Sequence, residues 1–132
     1  MTAAMAGTTP RLYATDTPAL KLTVIGAEKV LGSAFDDVMN GSMRADTFAG
    51  GAGNDQISGS GGDDILFSGT SAGNDYGDYD TLLGGDGADS LVVQAGATAR
   101  LTGGAGADKF YLSADASKSG VTITDPEASD TL

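Results

Sequence analysis

From Thr23 onward one large apolar residue returns every nine positions, as Val30, Met39, Phe48, Ile57 and Leu66. Each follows an acidic residue by two places, namely Glu28, Asp37, Asp46, Asp55 and Asp64. The positions ahead of each acid are small and glycine-rich. This pattern fits a three-residue strand whose middle side chain points inward, followed by a six-residue turn. Strand and turn, repeated, must alternate between two sheets. Two repeats then make one coil, with equivalent turns stacked about 4.8 Å apart. The expected fold is therefore all-β, a right-handed parallel β-roll (a two-sheet β-solenoid). Its inward ladder is Met39, Ile57, Leu82 and Leu101 on one sheet, facing Phe48, Leu66, Leu91 and Phe110 on the other.

The same frame divides the chain. Residues 1–19, small and polar with Pro10 and Pro18, are read as a flexible lead-in, and Leu20–Val24 alternates like a short strand. The roll spans 20–111. It has degenerate repeats over 23–49, regular repeats over 50–67, an enlarged turn over 68–83 and further repeats over 84–111. A seven-residue insertion explains the enlarged turn, which ends in Asp80-Thr81-Leu82. The unit starting at Val93 has Thr98 at the acidic position and Arg100 at the apolar one, and a one-residue bulge would turn Leu101 inward instead. Residues 112–132 form a C-terminal capping strand and tail, with Val121–Thr124 as the strand and Asp130-Thr131-Leu132 opening another Asp-x-apolar triplet.

Charge narrows the partners. The chain of 132 residues carries a net charge of −11, concentrated on aspartate. An acidic surface repels nucleic acid and anionic membranes, and it attracts multivalent cations. There is no Cys and no His, which removes disulfides, thiolate–metal chemistry and the commonest general base. No apolar run is long enough to span a bilayer, and the N-terminus lacks the basic and apolar regions of a signal peptide.

The turns supply the chemistry. Glycines allow positive φ and bring carbonyls close to an ion, while Asp gives a hard oxygen ligand. An ion between two stacked turns collects carbonyl oxygens plus an Asp from each, which suits the six to eight oxygens that Ca²⁺ takes better than the strict octahedron of Mg²⁺. The candidate ligands on one edge are Gly50, Gly51, Gly53 and Asp55, then Asp75, Asp78 and Asp80 of the enlarged turn, a row that ends at Thr98. On the other edge they are Gly59, Gly61, Gly62 and Asp64, then Gly84, Gly85, Gly87 and Asp89, then Gly103, Gly104, Gly106 and Asp108.

GGAGNDQIS, GSGGDDILF, GGDGADSLV and GGAGADKFY resemble the RTX (repeats-in-toxin) nonapeptide, GGxGxDxUx with U large and apolar. The resemblance covers residues 23–111. It implies several Ca²⁺ ions in the turns, with ligand roles on Asp55, Asp64, Asp89 and Asp108. It also implies type I secretion of an unfolded chain, placing the protein outside the cell or on a bacterial surface, with further domains of a parent protein. The units before Gly50 depart from the pattern, which makes Asp37 and Asp46 weaker ligand candidates.

Low hydrophobicity with high charge cannot offset chain entropy, so the metal-free chain is expected to be largely disordered and to fold when calcium binds. Asp16, Asp36 and Asp115 are read as simple turn formers. Tyr76 and Tyr79 beside the acids of the insertion offer a sugar- or partner-binding patch, against the plainer reading of a surface loop. No nucleophile elbow, zinc-protease or P-loop motif occurs, so the chain is not expected to be an enzyme. The alternative to a folding and export module is an adhesive one, contacting glycan or cell surface or self-associating.

Overall fold

The computed structural model describes residues 2–5, 11–13, 21–24, 29–69, 78–113, 120–126 and 129–132. The strands are β1 (Thr2–Met5), β2 (Arg11–Tyr13), β3 (Lys21–Val24), β4 (Lys29–Leu31), β5 (Val38–Asn40), β6 (Thr47–Gly51) and β7 (Gln56–Gly61). They continue as β8 (Ile65–Gly69), β9 (Tyr79–Asp86), β10 (Ser90–Val93), β11 (Thr98–Ala105), β12 (Lys109–Leu112) and β13 (Thr122–Ile123). Odd-numbered strands form one sheet, in the order β1-β3-β5-β7-β9-β11-β13. Even-numbered strands form the other, in the order β12-β10-β8-β6-β4-β2, and every pairing is parallel. The chain is thus a parallel β-solenoid of two sheets, and it switches sheet at every turn.

The nine-residue period sets the register. Met39 lies beside Ile57, Ile57 beside Leu82, and Leu82 beside Leu101. In the opposite sheet Phe48 lies beside Leu66, Leu66 beside Leu91, and Leu91 beside Phe110. These eight side chains and Val30 are buried and form the core, with Val93, Ala97 and Ala99. The core is therefore two facing ladders one residue wide. Each ladder rung withdraws a whole aliphatic or aromatic side chain from water, worth roughly 1.5–3 kcal/mol apiece before ordering entropy is counted.

Three features differ from the sequence reading. The 1–19 stretch carries β1 and β2, which extend the two sheets by pairing Ala3 with Leu22 and Leu12 with Val30. Ala3 and Leu12 already stand nine apart and keep the phase, and the intervening prolines fall between strands rather than in them. Secondly, β9 and β11 each run eight residues, since ladder pairing continues into the stacked turns, with Gly85 beside Gly104 and Asp86 beside Ala105. Thirdly, Ala99 rather than Thr98 stands beside Asp80. The extra residue falls between Leu91 and Leu101, so the frame shifts by one: Leu101 is buried, Arg100 faces out, and a small buried Ala ends the acidic row. Asp75 and Tyr76, like half of the enlarged turn, lie outside the described residues.

Candidate metal centre

Seven aspartates, Asp37, Asp46, Asp55, Asp64, Asp80, Asp89 and Asp108, are all at most 1% exposed. Burying ionised carboxylates is costly unless each is paired or coordinated. The register sorts them into two columns, one along each edge of the roll. On the first edge the N–H of Asp37 donates to Asp55 Oδ1 at 2.8 Å, and that of Asp55 to Asp80 Oδ1 at 2.9 Å. On the second, Asp46 donates to Asp64 Oδ1 at 2.7 Å, Asp64 to Asp89 at 2.8 Å, and Asp89 to Asp108 at 2.9 Å. The column then runs one step further, from the Asp108 N–H to Asp130 Oδ1 at 3.0 Å. Each sixth-position Asp therefore spends Oδ1 on the backbone of the coil before it.

The other oxygen tells the turns apart. In the glycine-complete turns, Oδ2 of Asp64, Asp89 and Asp108 is buried with no hydrogen-bond partner. That oxygen lies against the first glycine of its own turn. A Cβ added at Gly84 would collide with Asp89 Oδ2 and with the Gly103 carbonyl oxygen of the next coil, and one at Gly59 would meet Asp64 Oδ2 and the Gly84 carbonyl. Carboxylate and carbonyl oxygens thus converge between stacked turns, with no donor between them. The second position needs glycine for another reason: Gly85 has φ +118°, which costs an ordinary side chain strain. Ser60 holds the same position in its turn at φ +82° and is the one non-glycine residue with positive φ among the described residues.

In the degenerate turns serine takes over. The Ser33 N–H and hydroxyl reach Asp37 Oδ2 and Oδ1 at 2.5 and 2.9 Å. The Ser42 N–H and hydroxyl both reach Asp46 Oδ2, at 2.7 and 3.0 Å. Neither serine has positive φ, so its N–H faces the carboxylate, and the oxygen left over in the complete turns is engaged here. The two serines were not legible as functional positions, although each stands where the repeat has its second glycine.

Charge accumulates accordingly. Burial, opposed by the Asp46 backbone hydrogen bond and reinforced by the neighbouring Asp89 and Asp46 charges, pushes the Asp64 carboxyl up to about 7. Burial likewise pushes Asp89 up to about 6, with the nearby Asp108 charge adding to it. Asp108 is raised by burial first, with Asp130 and Asp125 contributing. A divalent cation would relieve all three. Among the described residues no three acidic side chains gather at one point, so an ion here must draw the rest of its shell from carbonyl oxygens. That is the donor set of Ca²⁺ rather than of zinc.

The remaining candidates fall around this arrangement. Gly50 and Gly103 stand, like Gly59 and Gly84, against their own turn's Asp, and Gly51, Gly53, Gly62, Gly87, Gly104 and Gly106 all have positive φ. Gly61, at a third position, does not. Asp78 Oδ2 accepts from the Gly53 N–H at 3.0 Å, tying the end of the enlarged turn to the coil before it. Asp36 is more than a turn former, as its Oδ1 accepts from the Asn54 N–H of the next coil at 2.8 Å.

A parallel solenoid with buried aspartate columns along its edges and glycine turns between them belongs to the calcium-binding β-rolls. The family model of the RTX calcium-binding nonapeptide repeat matches the chain in four copies, over residues 40–76, 75–97 and 100–116. These segments cover more than half of the sequence, and the chain belongs to that family of calcium-binding repeats. No curated protein and no solved structure matches it.

Proposed function

We propose that this chain is a calcium-gated folding module of a secreted bacterial protein. Asp55, Asp64, Asp80, Asp89 and Asp108 hold the ions, together with carbonyl oxygens of the stacked turns. The observation that carries this reading is the set of donor-free Oδ2 atoms on Asp64, Asp89 and Asp108, each against the first glycine of its own turn, with the next coil's carbonyl oxygen closing on the same glycine at Gly59 and Gly84. Without a cation these carboxylates repel one another along their edge, and the core that must hold the coils together is only one side chain wide. With it, each ion ties two coils together, and the free energy of binding becomes free energy of folding. Extracellular Ca²⁺ modules bind at about 10⁻⁴–10⁻³ M. Cytosolic calcium then leaves the chain unfolded and exportable by a type I route, and calcium outside the cell folds it. Circular dichroism in excess calcium and in excess chelator tests this. Strong β signal only in calcium is expected, and equal β content in both would sink the gating.

A second reading, an interaction module, draws on one asymmetry. The outward row Leu31, Ala49, Phe67, Val92, Tyr111 of the even-numbered sheet is apolar throughout, whereas its counterpart Asn40, Ser58, Leu83, Thr102, Thr124 is mostly polar. Self-association through that face is read by sedimentation in calcium. A monomer at all concentrations leaves the folding module as the whole function.

A further inference from the structure

Ser33 and Ser42 share their repeat position with Ser60, yet the three turns are built differently. Ser60 stands at φ +82°, in a turn whose fourth position is Gly62 at φ +96°. The fourth positions after Ser33 and Ser42 are Phe35 and Arg44, and neither these two residues nor the two serines have positive φ. Glycine at the fourth position supplies the left-handed conformation that a complete turn uses, and a side chain there resists it. The serine therefore does not decide the turn alone. With glycine two places on, the turn stays open; with Phe or Arg it closes.

Closure is a local hydrogen-bond network. The Ser33 N–H and hydroxyl both reach the Asp37 carboxylate, and the hydroxyl oxygen accepts from the Phe35 N–H at 3.2 Å. The Ser42 N–H and hydroxyl reach Asp46 Oδ2, and the hydroxyl oxygen accepts from the Arg44 N–H at 3.1 Å. Each bond joins residues two or four apart, so it needs neither a second coil nor an ion. A buried carboxylate is costly until it is paired, and in the closed turns the local chain does the pairing. In the open turn at Gly59, Asp64 Oδ2 has no donor.

One closed turn lies on each edge, directly before the first open turn of that edge. The Asp37 N–H holds Asp55 Oδ1 at 2.8 Å, and the Asp46 N–H holds Asp64 Oδ1 at 2.7 Å. The turns also touch through their backbones: a Cβ added at Gly53 would collide with Phe35 and Asp36, and one at Gly62 with Arg44 and Ala45. Between the edges Val30 lies beside Phe48 and Met39 beside Ile57, all four buried, so residues 29–58 have a stretch of core of their own.

We propose that Ser33 with Phe35, and Ser42 with Arg44, make residues 29–58 a metal-independent template that positions Asp55 and Asp64 for the first calcium ions, after which the open coils form in order. The inference rests on the reading of the open turns as calcium sites and gives the closed turns a part in it. The Asp37 and Asp46 N–H groups fix one oxygen of each acceptor before an ion arrives. The serines, Phe35 and Arg44 are thus positioning residues, not ligands. Because the template is a minority of the chain, β signal in chelator stays weak.

Amide exchange of the full chain, followed residue by residue by NMR in chelator and through a titration with calcium chloride, tests this. The reporters are N–H groups that bond between coils. Gly32 and Gly41, on the Ala49 and Ser58 carbonyls, report on the template. Gln56 and Ile65, on the Asp37 and Asp46 carbonyls, report on its border, and Lys109, on the Asp89 carbonyl, lies well beyond it. In chelator Gly32 and Gly41 should exchange at least about tenfold more slowly than Lys109. On titration Gln56 and Ile65 should gain protection at lower calcium than Lys109. Equally fast exchange of all five in chelator, or one calcium midpoint for all, overturns the template and leaves calcium-driven folding in place. Equally slow exchange in chelator sinks the calcium gating itself. A variant carrying Ser33→Gly, Phe35→Gly, Ser42→Gly and Arg44→Gly gives both turns the open sequence. It should lose the chelator protection at Gly32 and Gly41 and still fold in calcium, and protection retained in it also overturns the template. If that variant does not fold in calcium, the exchange of the parent decides alone.

Discussion

Ser33 donates to both carboxylate oxygens of Asp37, through its N–H at 2.5 Å and its hydroxyl at 2.9 Å. Three repeats on along the chain, Asp64 has only its Oδ1 so engaged. The same buried Asp in the same fold is thus satisfied from within the chain near the N-terminal end and left open from Gly59 onward. Removing the hydroxyl deletes one hydrogen bond to a buried carboxylate, which costs roughly 1–3 kcal/mol. Ser33→Ala and Ser42→Ala should each lower the melting temperature of the calcium-loaded protein, without changing the number of ions bound. A loss of ions instead would mean that Asp37 and Asp46 are ligands after all.

Proton linkage runs in an unusual direction for carboxylates. An exposed Asp ionises near 3.9, whereas burial lifts Asp64 to about 7 and Asp89 to about 6 in the metal-free fold. Between about pH 4 and 7 the folded chain therefore holds more protons than the unfolded one, and its stability falls as pH rises through that window. Calcium inverts the dependence, because its ligands must be deprotonated. In chelator, circular dichroism should show more β structure near the acid end of this window than at neutrality. In calcium, affinity should drop as pH falls below about 7, with protons released on binding. Equal chelator spectra across the window would contradict the buried, uncompensated state of these two groups.

The core ladder gives a prediction free of metal. Leu91 is fully buried between Leu66 and Phe110, so Leu91→Ala should cost about 2–5 kcal/mol in calcium-loaded unfolding. Arg100 faces solvent, and Arg100→Ala should stay within about 0.5 kcal/mol of the parent. A large effect at Arg100 would imply that the frame shift between Leu91 and Leu101 is placed wrongly.

What the sequence made legible followed from periodicity. Nine-residue spacing fixes which side chain points in, so the two ladders and the two edges could be read before any coordinates. What escaped it depended on single residues that break the frame or stand in for another. Thr98 matched the acidic position by count, but one extra residue moved Ala99 there. The strand at Val121–Thr124 and the Asp130-Thr131-Leu132 triplet were legible, but Asp125 between them carries no glycine signal, so its hold on the Gly103 and Gly104 N–H groups was not. Ser33 and Ser42 looked like decay of the repeat. In three dimensions their N–H groups engage the carboxylate oxygen that the complete turns leave open.

Gly84 separates backbone geometry from ligand charge. A Cβ there would strike Asp89 Oδ2 and the Gly103 carbonyl; the carboxylate is anchored through Oδ1 by the Asp64 N–H, and the carbonyl belongs to the backbone of β11, which is paired with β9 on either side of Gly103. Gly84→Ala should therefore both destabilise the fold, by at least about 2 kcal/mol on the scale of overpacked buried sites, and weaken calcium binding. Asp89→Asn is the complementary change. It keeps an oxygen to accept the Asp64 N–H and adds no volume, yet it removes the negative charge shared by two stacked turns. The metal-free chain should be no less structured than the parent, since a raised, repelling carboxyl has been neutralised. Calcium affinity should fall about tenfold or more at the affected turns, as ligand charge count dictates. Calorimetric titration beside circular dichroism separates the two effects, and an Asp89→Asn protein with parental affinity would remove that carboxylate from the ligand set.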